Sequence, residues 1–430
     1  MDANDRWSPS VWRSDHLGNR LTFGLTCFSR LCADAPAEFR ARFSLYLTRQ
    51  ARHLFRLSAP DWSEADTFAM RRGAVFAALF LAPFRRRLAS VMDNLLEDVR
   101  DQVFPDGGHI SRHPEKHLEA MMALVHIRSA LNETQTEVPE FLQVAIDRMA
   151  PMLRAYCLGD HGLASFNGAS VGNISAIKKT LELSGSRAKS AASAPHTGFH
   201  RLSNQRTTVL FDAGPPVQGA PRVPGHAGTL SFEMSVGANR LIVNCGNIAS
   251  DPGNDLFEAL RATAAHSTLT IANTHSSDLE SGSGFGPRRV RSVNVRRREQ
   301  DRNVLVEASH EGYSDVFGIV HRRSLYLARS GLDLRGEDIL EADTSTGRPF
   351  DIRFHLHPSV RVSLVEGGKS ALLKLPTGRG WRLTVSDGTV LLEDSLYASE
   401  GPVTASKQVV INGRHTRRRT VTKWRLAREG

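Results

Sequence analysis

Two stretches of this 430-residue sequence gather side chains that could move protons. The first runs Phe104-Pro105-Asp106-Gly107-Gly108-His109-Ile110-Ser111-Arg112-His113-Pro114 and sets His109, Arg112, His113 and His117 within nine residues. An imidazole titrates near neutral pH and a guanidinium stays charged, so His109 and Arg112 suit a base beside a fixed cation for a carboxylate. A turn holding solvated imidazoles explains the same pattern, and histidines seldom do chemistry alone. The second stretch is split: Pro224-Gly225-His226-Ala227-Gly228-Thr229-Leu230-Ser231-Phe232 precedes a strand, and Arg261-Ala262-Thr263-Ala264-Ala265-His266-Ser267-Thr268 follows some thirty residues later. Tyr313, in a Gly-Tyr turn with His310 nearby, is a candidate proton donor. His355 and His357 flank Leu356 on one strand face, where a structural role is the commoner outcome.

The elements that must position these residues change character midway. In the first half apolar residues recur at steps of three and four. Leu88, Val91, Leu95, Val99 and Val103 form one helical stripe, and Leu142, Ile146, Met149, Leu153 and Tyr156 another. Further helices are expected over 38–57, 66–81, 115–131 and 175–183. Helices of this length with short Gly/Pro/Asp turns suggest a bundle or an α/α toroid. Residues 185–198 turn to Ser, Ala, Lys and Pro and read as a linker. Beyond it the period becomes two, with about a dozen short strands and turn punctuation, such as Gly237-Ala238-Asn239-Arg240. The expected fold class is α+β by segregated domains. An α-helical domain spans 1–184, and an antiparallel β-sandwich spans 199–430.

Composition narrows the function classes. The net charge is +10, with 55 Lys and Arg against 45 acids, which suits an anionic partner or simply an Arg-rich protein. Arg85-Arg86-Arg87, Arg288 to Arg298 and Arg417-Arg418-Arg419 read as solvated faces and strand ends. No reader module accompanies the charge, so nucleic acid is not an expected partner. Cys27, Cys32, Cys157 and Cys245 are too scattered for a disulfide framework and read as core thiols. The start MDANDRW is no signal peptide, and the longest apolar stretch, 73–84, falls short of a membrane span. No phosphate loop, nucleophile elbow or dinucleotide fingerprint is present, and the sequence of 282–286 reads as a flexible loop and no cofactor cradle.

Several segments together resemble the heparinase II/III family, in a divergent, alphaproteobacterial-type subgroup. They are the His226 and His266 segments, Val243-Asn244-Cys245-Gly246, Glu311-Gly312-Tyr313, Val320-His321-Arg322-Arg323, Leu334-Arg335-Gly336-Glu337-Asp338 and Arg353-Phe354-His355-Leu356-His357-Pro358. Asp106-Gly107-Gly108-His109 and Gly162-Leu163-Ala164-Ser165-Phe166-Asn167-Gly168-Ala169 resemble its toroid half, so the likeness runs from about Trp12 to Asn412.

The resemblance implies an incomplete α/α toroid joined to the sandwich, and β-elimination of an acidic, uronate-containing glycan between them. That reaction needs a cation or amide on the uronate carboxylate, a His or Tyr to take the C5 proton, and a donor for the leaving oxygen. Because the family's usual groups are altered here, His109, Arg112, His226 and Tyr313 are the candidates to stand in as catalytic residues, with Lys116, His117 and Asn167 toward substrate. His109, Arg112 and His226 are then expected to face one groove. The family's motif before Leu-Ser-Phe carries a catalytic His, a zinc-binding His and an Asp. Here Pro224, His226 and Gly228 stand there, while Asn244 replaces a ligand Asp and His266 keeps a ligand His. Two good ligands remain where structural zinc sites gather about four, so zinc is expected to bind weakly or not at all. Lys116 stands where the family carries its general-acid Tyr. A catalytically impaired glycan-binding or scaffold protein of the same fold is therefore the alternative. The family implies the cell envelope or periplasm; the start of the sequence shows no export signal, which fits either a true start further upstream or a cytoplasmic protein.

Overall fold

The computed structural model describes residues 8–57, 66–217, 225–248, 254–279 and 289–429; Pro224, Arg288 and the 282–286 loop lie outside them. The chain divides into two compact units. One comprises 1–111, 116–151 and 178–188, the other 112–115, 152–177 and 189–430.

Helices fill the first half: α1 (Ser14–Thr26), α2 (Phe28–Leu31), α3 (Ala37–Leu54), α4 (Thr67–Phe80), α5 (Leu88–Gln102), α6 (Pro114–Glu133), α7 (Glu140–Tyr156) and α8 (Ile174–Ser184). The Asp66 side chain caps α4 by accepting from the Ala69 N–H at 3.0 Å. Every α4 residue from Thr67 to Ala78 is buried. Part of the reason is α1, which crosses α4 with backbones almost touching: a Cβ on Gly73 would lie 2.4 Å from the Gly18 Cα. The two expected apolar stripes face inward: Val91, Leu95, Val99, Leu142, Ile146 and Met149 are all buried. Among the described residues, no helix is long and apolar enough to cross a membrane.

The second half is antiparallel sheet. Its strands are β1 (Ser193–Ala194), β2 (Phe199–Asn204), β3 (Thr207–Asp212), β4 (Phe232–Val236), β5 (Asn239–Val243), β6 (Leu269–Ile271), β7 (Asn294–Gln300), β8 (Asn303–Tyr313) and β9 (Ile319–Leu327). They continue as β10 (Asp333–Glu341), β11 (Pro349–Leu356), β12 (Arg361–Val365), β13 (Ser370–Lys374), β14 (Gly380–Val385), β15 (Thr389–Tyr397), β16 (Thr404–Arg414) and β17 (Arg419–Arg428). Two short helices interrupt them, α9 (Asp255–Arg261) and α10 (Ser314–Phe317). One sheet runs β1-β2-β3-β4-β5-β11-β16-β15, with β6 on β11; the other runs β12-β13-β14-β17-β10-β9-β8-β7. A single apolar core joins them, drawing Phe211, Phe232 and Phe354 from the first and Leu325, Trp381 and Trp424 from the second. On β9 buried and half-buried residues alternate, because only one face of that sheet meets the core.

Two local expectations change. The 185–198 linker is structured at its far end, where Ser193 and Ala194 pair with His200 and Phe199. The strand expected over 290–296 begins only at Asn294, because Val290 turns fully inward as an anchor.

Candidate functional site

The site is built around residues 225–228, which lead into β4, and 261–268, which follow α9. Backbone and side-chain hydrogen bonds clamp the two together. Ala227 N–H donates to the Arg261 carbonyl at 2.9 Å, Arg261 Nε to the Gly225 carbonyl at 3.1 Å, and Thr263 Oγ1 to the Ala227 carbonyl at 2.7 Å. The clamp brings His226 and His266 edge to face, with Nδ1 of His226 3.2 Å from Nε2 of His266.

The hydrogen-bond chain fixes the tautomers. His266 Nδ1 lies 2.8 Å from the Ala262 carbonyl, which can only accept, so that nitrogen carries the proton. Its Nε2 then offers a lone pair, and His226 Nδ1 is the donor. Proton and lone pair are thereby assigned on His226: Nε2 is bare, and among the described residues it has no hydrogen-bond partner. Both rings are neutral. Burial pushes His266 down to about 4. Burial, then His266, Arg261 and His113, hold His226 well below its ordinary value against the pull of the Leu260 carbonyl. The bare Nε2 points at Gly168, where a Cβ would lie 2.9 Å from it. Gly168 has φ +85°, so both backbone conformation and space call for glycine.

Arg112 and Asn167 belong to the same unit and come close to this pair. Both have a φ of 53°, in the left-handed region, and Asn167 Nδ2 donates to the Arg112 carbonyl at 2.9 Å. The Arg112 guanidinium, however, turns to the sandwich. It is buried, ion-paired with Asp212 at the end of β3, and donates to the Thr197 and Pro215 carbonyls. Asp212 is the partner that sequence reasoning missed; its only trace was an acid closing the apolar run Thr207 to Phe211.

The other expected residues have environments of their own. Tyr313 lies in the sandwich core, fully buried, with its hydroxyl donating to the Leu269 carbonyl at 2.9 Å; the expected Gly-Tyr turn is the end of β8. Burial pushes its phenol far above the ordinary range. That environment makes it a structural donor, because a proton donor for a glycan must meet the glycan. His109, Lys116 and His117 belong to the helical unit. His109 Nδ1 accepts from the Ser111 N–H at 3.2 Å and sits 2.7 Å from its hydroxyl, which closes the turn on itself. His117 is fully buried, 3.1 Å from the Met149 carbonyl, and burial lowers it to about 4. Lys116 pairs with Glu119 at 2.7 Å on the α6 surface. His355 Nε2 donates to the Ala264 carbonyl at 2.9 Å and so braces the 261–268 segment from β11, while His357 is half-buried beside Tyr397.

The donor set does not fit zinc. His226 and His266 supply two nitrogens, but Asn244 Oδ1 is occupied by the Ser267 N–H at 3.0 Å. A side chain at position 228 is excluded, since a Cβ there would meet the His266 ring at 2.6 Å. No group of three His, Cys, Asp or Glu residues converges among the described residues. What the arrangement can do is present one neutral, bare imidazole nitrogen inside a rigid clamp.

Residues 186–425 match the family described as Heparinase II/III-like, C-terminal. FtsZ-localized protein C of Caulobacter vibrioides is 30% identical over 423 residues, which cover 94% of this chain and 72% of that protein. A solved heparinase III superposes with a TM-score of 0.79 at 12% identity, covering 99% of this chain and 71% of that one. The heparan sulfate lyase of Pedobacter heparinus gives 0.73 at 14% identity, covering 97% and 68%. At these identities the two enzymes show a shared polysaccharide lyase-like fold.

Proposed function

We propose, from the premise that this chain belongs to the heparinase II/III-like family, that it is a catalytically impaired binding or scaffold protein of that fold, working with FtsZ. One observation carries this reading: the charged and aromatic groups that elimination would require are committed to the fold. Arg112, the cation for a uronate carboxylate, is neutralised by buried Asp212. Tyr313 donates inside the core, and His117 is buried against the Met149 carbonyl. The relative named FtsZ-localized protein C supports the FtsZ setting, being twice as similar in sequence as the lyases that share the fold. The test has two arms. A panel of uronate polysaccharides incubated with the protein should give no absorbance from unsaturated product, and the protein should co-sediment with FtsZ polymers. Unsaturated product from any of them would overturn the first arm; protein left in the supernatant would overturn the second.

A second reading keeps the enzyme: β-elimination of an acidic, glycosaminoglycan-like polysaccharide in the cell envelope. The bare Nε2 of His226 favours it, since a neutral imidazole with a free lone pair is a base wherever the buried clamp opens to admit the glycan. Product formation lost in His226→Ala would establish that reading. The compartment follows the choice, with the scaffold in the cytoplasm and the lyase in the periplasm, and fractionation of tagged cells distinguishes them.

A further inference from the structure

The helical unit holds a groove of about 950 Å³, at the upper end of the roughly 300–1,000 Å³ usual for small-molecule sites. Its walls come from α1, α2, α3, α4 and α6 and include Phe23, Phe28, Leu47, Phe76, Phe80 and Met122. His126 and Glu133 line it 12 and 19 residues beyond the Pro114 start of α6, about 18 and 28 Å along the helix axis from that start. At the rim, Phe23 is 65% exposed and Phe80 is 44% exposed. Large aromatic rings left in water beside an apolar trough mark a surface that something covers.

The floor is charged. Arg72 lines the groove and is only 7% exposed. Its guanidinium donates to two neutral acceptors, the Asn19 side-chain oxygen and Nδ1 of His126 at 3.4 Å, while its Nε has no partner among the described residues. Among the described residues no carboxylate is in ion-pair contact with it; Asp66 and Glu119 act on it only from further away. A desolvated cation without a counter-ion is costly, and proteins ordinarily pair such groups. Here the missing partner has a defined shape: one anionic head to meet a planar guanidinium, and an apolar body to cover the walls.

We propose that this groove binds a carboxylate-headed apolar molecule of the fatty-acid class, with its head at Arg72 and its chain running out between Phe76 and Phe80. The inference is independent of the function proposed above. The charge complementarity selects this occupant over a second copy of the chain, which would cover the rim and leave the floor cation unpaired.

The test uses dodecanoate below its micelle concentration, titrated calorimetrically into the intact protein, with dodecanol and dodecylammonium as head-group controls. Dodecanoate should bind saturably at one site, at least about tenfold tighter than dodecanol, and dodecylammonium should not bind. Arg72→Met should remove the advantage of dodecanoate over dodecanol. Phe80→Asp, at an exposed position that a folded chain tolerates, should weaken both ligands. Equal binding of the three compounds would overturn the proposal, as would no saturable binding of dodecanoate or undiminished binding to Phe80→Asp. A concentration-dependent dimer abolished by Phe80→Asp, in a protein that ignores dodecanoate, would instead give the groove to a second copy.

Discussion

A buried histidine has a protonation state set by its neighbours, and here the neighbours keep it neutral. His117 and His266 are held near 4 by burial, against an ordinary value of 6.5. The sign follows directly. The unfolded chain binds protons at these positions below pH 6.5 while the folded chain refuses them, so their contribution is complete above 6.5 and is lost as pH falls toward 4. A shift of that size corresponds to ~3 kcal/mol per ring as an upper figure. Thermal unfolding of the wild type against His117→Gln from pH 7.5 to 4 reads the effect. The wild type should lose its advantage across that window, and parallel curves would show that His117 contributes no proton linkage. The same chemistry bears on metal. Two neutral imidazoles with their third position closed by Gly228 and Asn244 should leave the protein, purified without chelators, with well under one zinc per chain by elemental analysis. Stoichiometric zinc lost in His266→Ala would mean that the 225–228 segment opens to admit a further ligand.

At the scale of elements, periodicity revealed what depends on one face being buried, and concealed what depends on partners far along the chain. The apolar stripes over α5 and α7 are visible because burial repeats every turn. Strand β17 carries no clear pattern because Arg419, Lys423 and Arg425 fill its outer face, while the buried inward set is only Thr422, Trp424 and Leu426. Strand β10 hid its purpose likewise: Asp338 is buried and accepts from Arg323 Nε at 2.8 Å, His321 Nε2 at 2.8 Å and Trp424 Nε1 at 3.0 Å. Burial opposes its charge, but Arg323 and His321 overcome that and hold the carboxyl below the usual range. No local pattern announces a partner 86 residues away, as Trp424 is. The histidines of the site were legible as residue types, whereas Asp212, which takes Arg112 out of play, was not. Breaking either pair tests these roles. Asp338→Ala and Asp212→Ala each leave an uncompensated buried guanidinium and should cost ~3–5 kcal/mol in denaturant unfolding. Gly168→Ala adds a Cβ at φ +85° against the His226 ring and should cost at least ~1 kcal/mol. A loss within a few tenths would show that the 162–169 loop yields freely.

For the whole molecule, the question is whether a charge of +10 reflects a glycan site or a diffuse field. The placement of the arginines favours the field. Strand β7 is an edge of its sheet, and its Arg296 and Arg298 are exposed, as like charges on an edge strand deter pairing with another chain. Further arginines stand at Arg85, Arg86 and Arg87, and at Arg417, Arg418 and Arg419, all exposed. Charges of this kind attract any polyanion and are screened beyond about 8 Å at physiological salt. The protein should therefore be retained on immobilised heparin at low salt and released early in a salt gradient. Dextran sulfate, which carries no uronate, should compete as well as heparin does. Arg296→Ser with Arg298→Ser should advance elution measurably, while Arg112→Lys, whose cation is already matched by Asp212, should leave it unchanged. Retention that survives high salt and discriminates between uronate and non-uronate polymers would require a built glycan site, and would return the weight to the second reading of function.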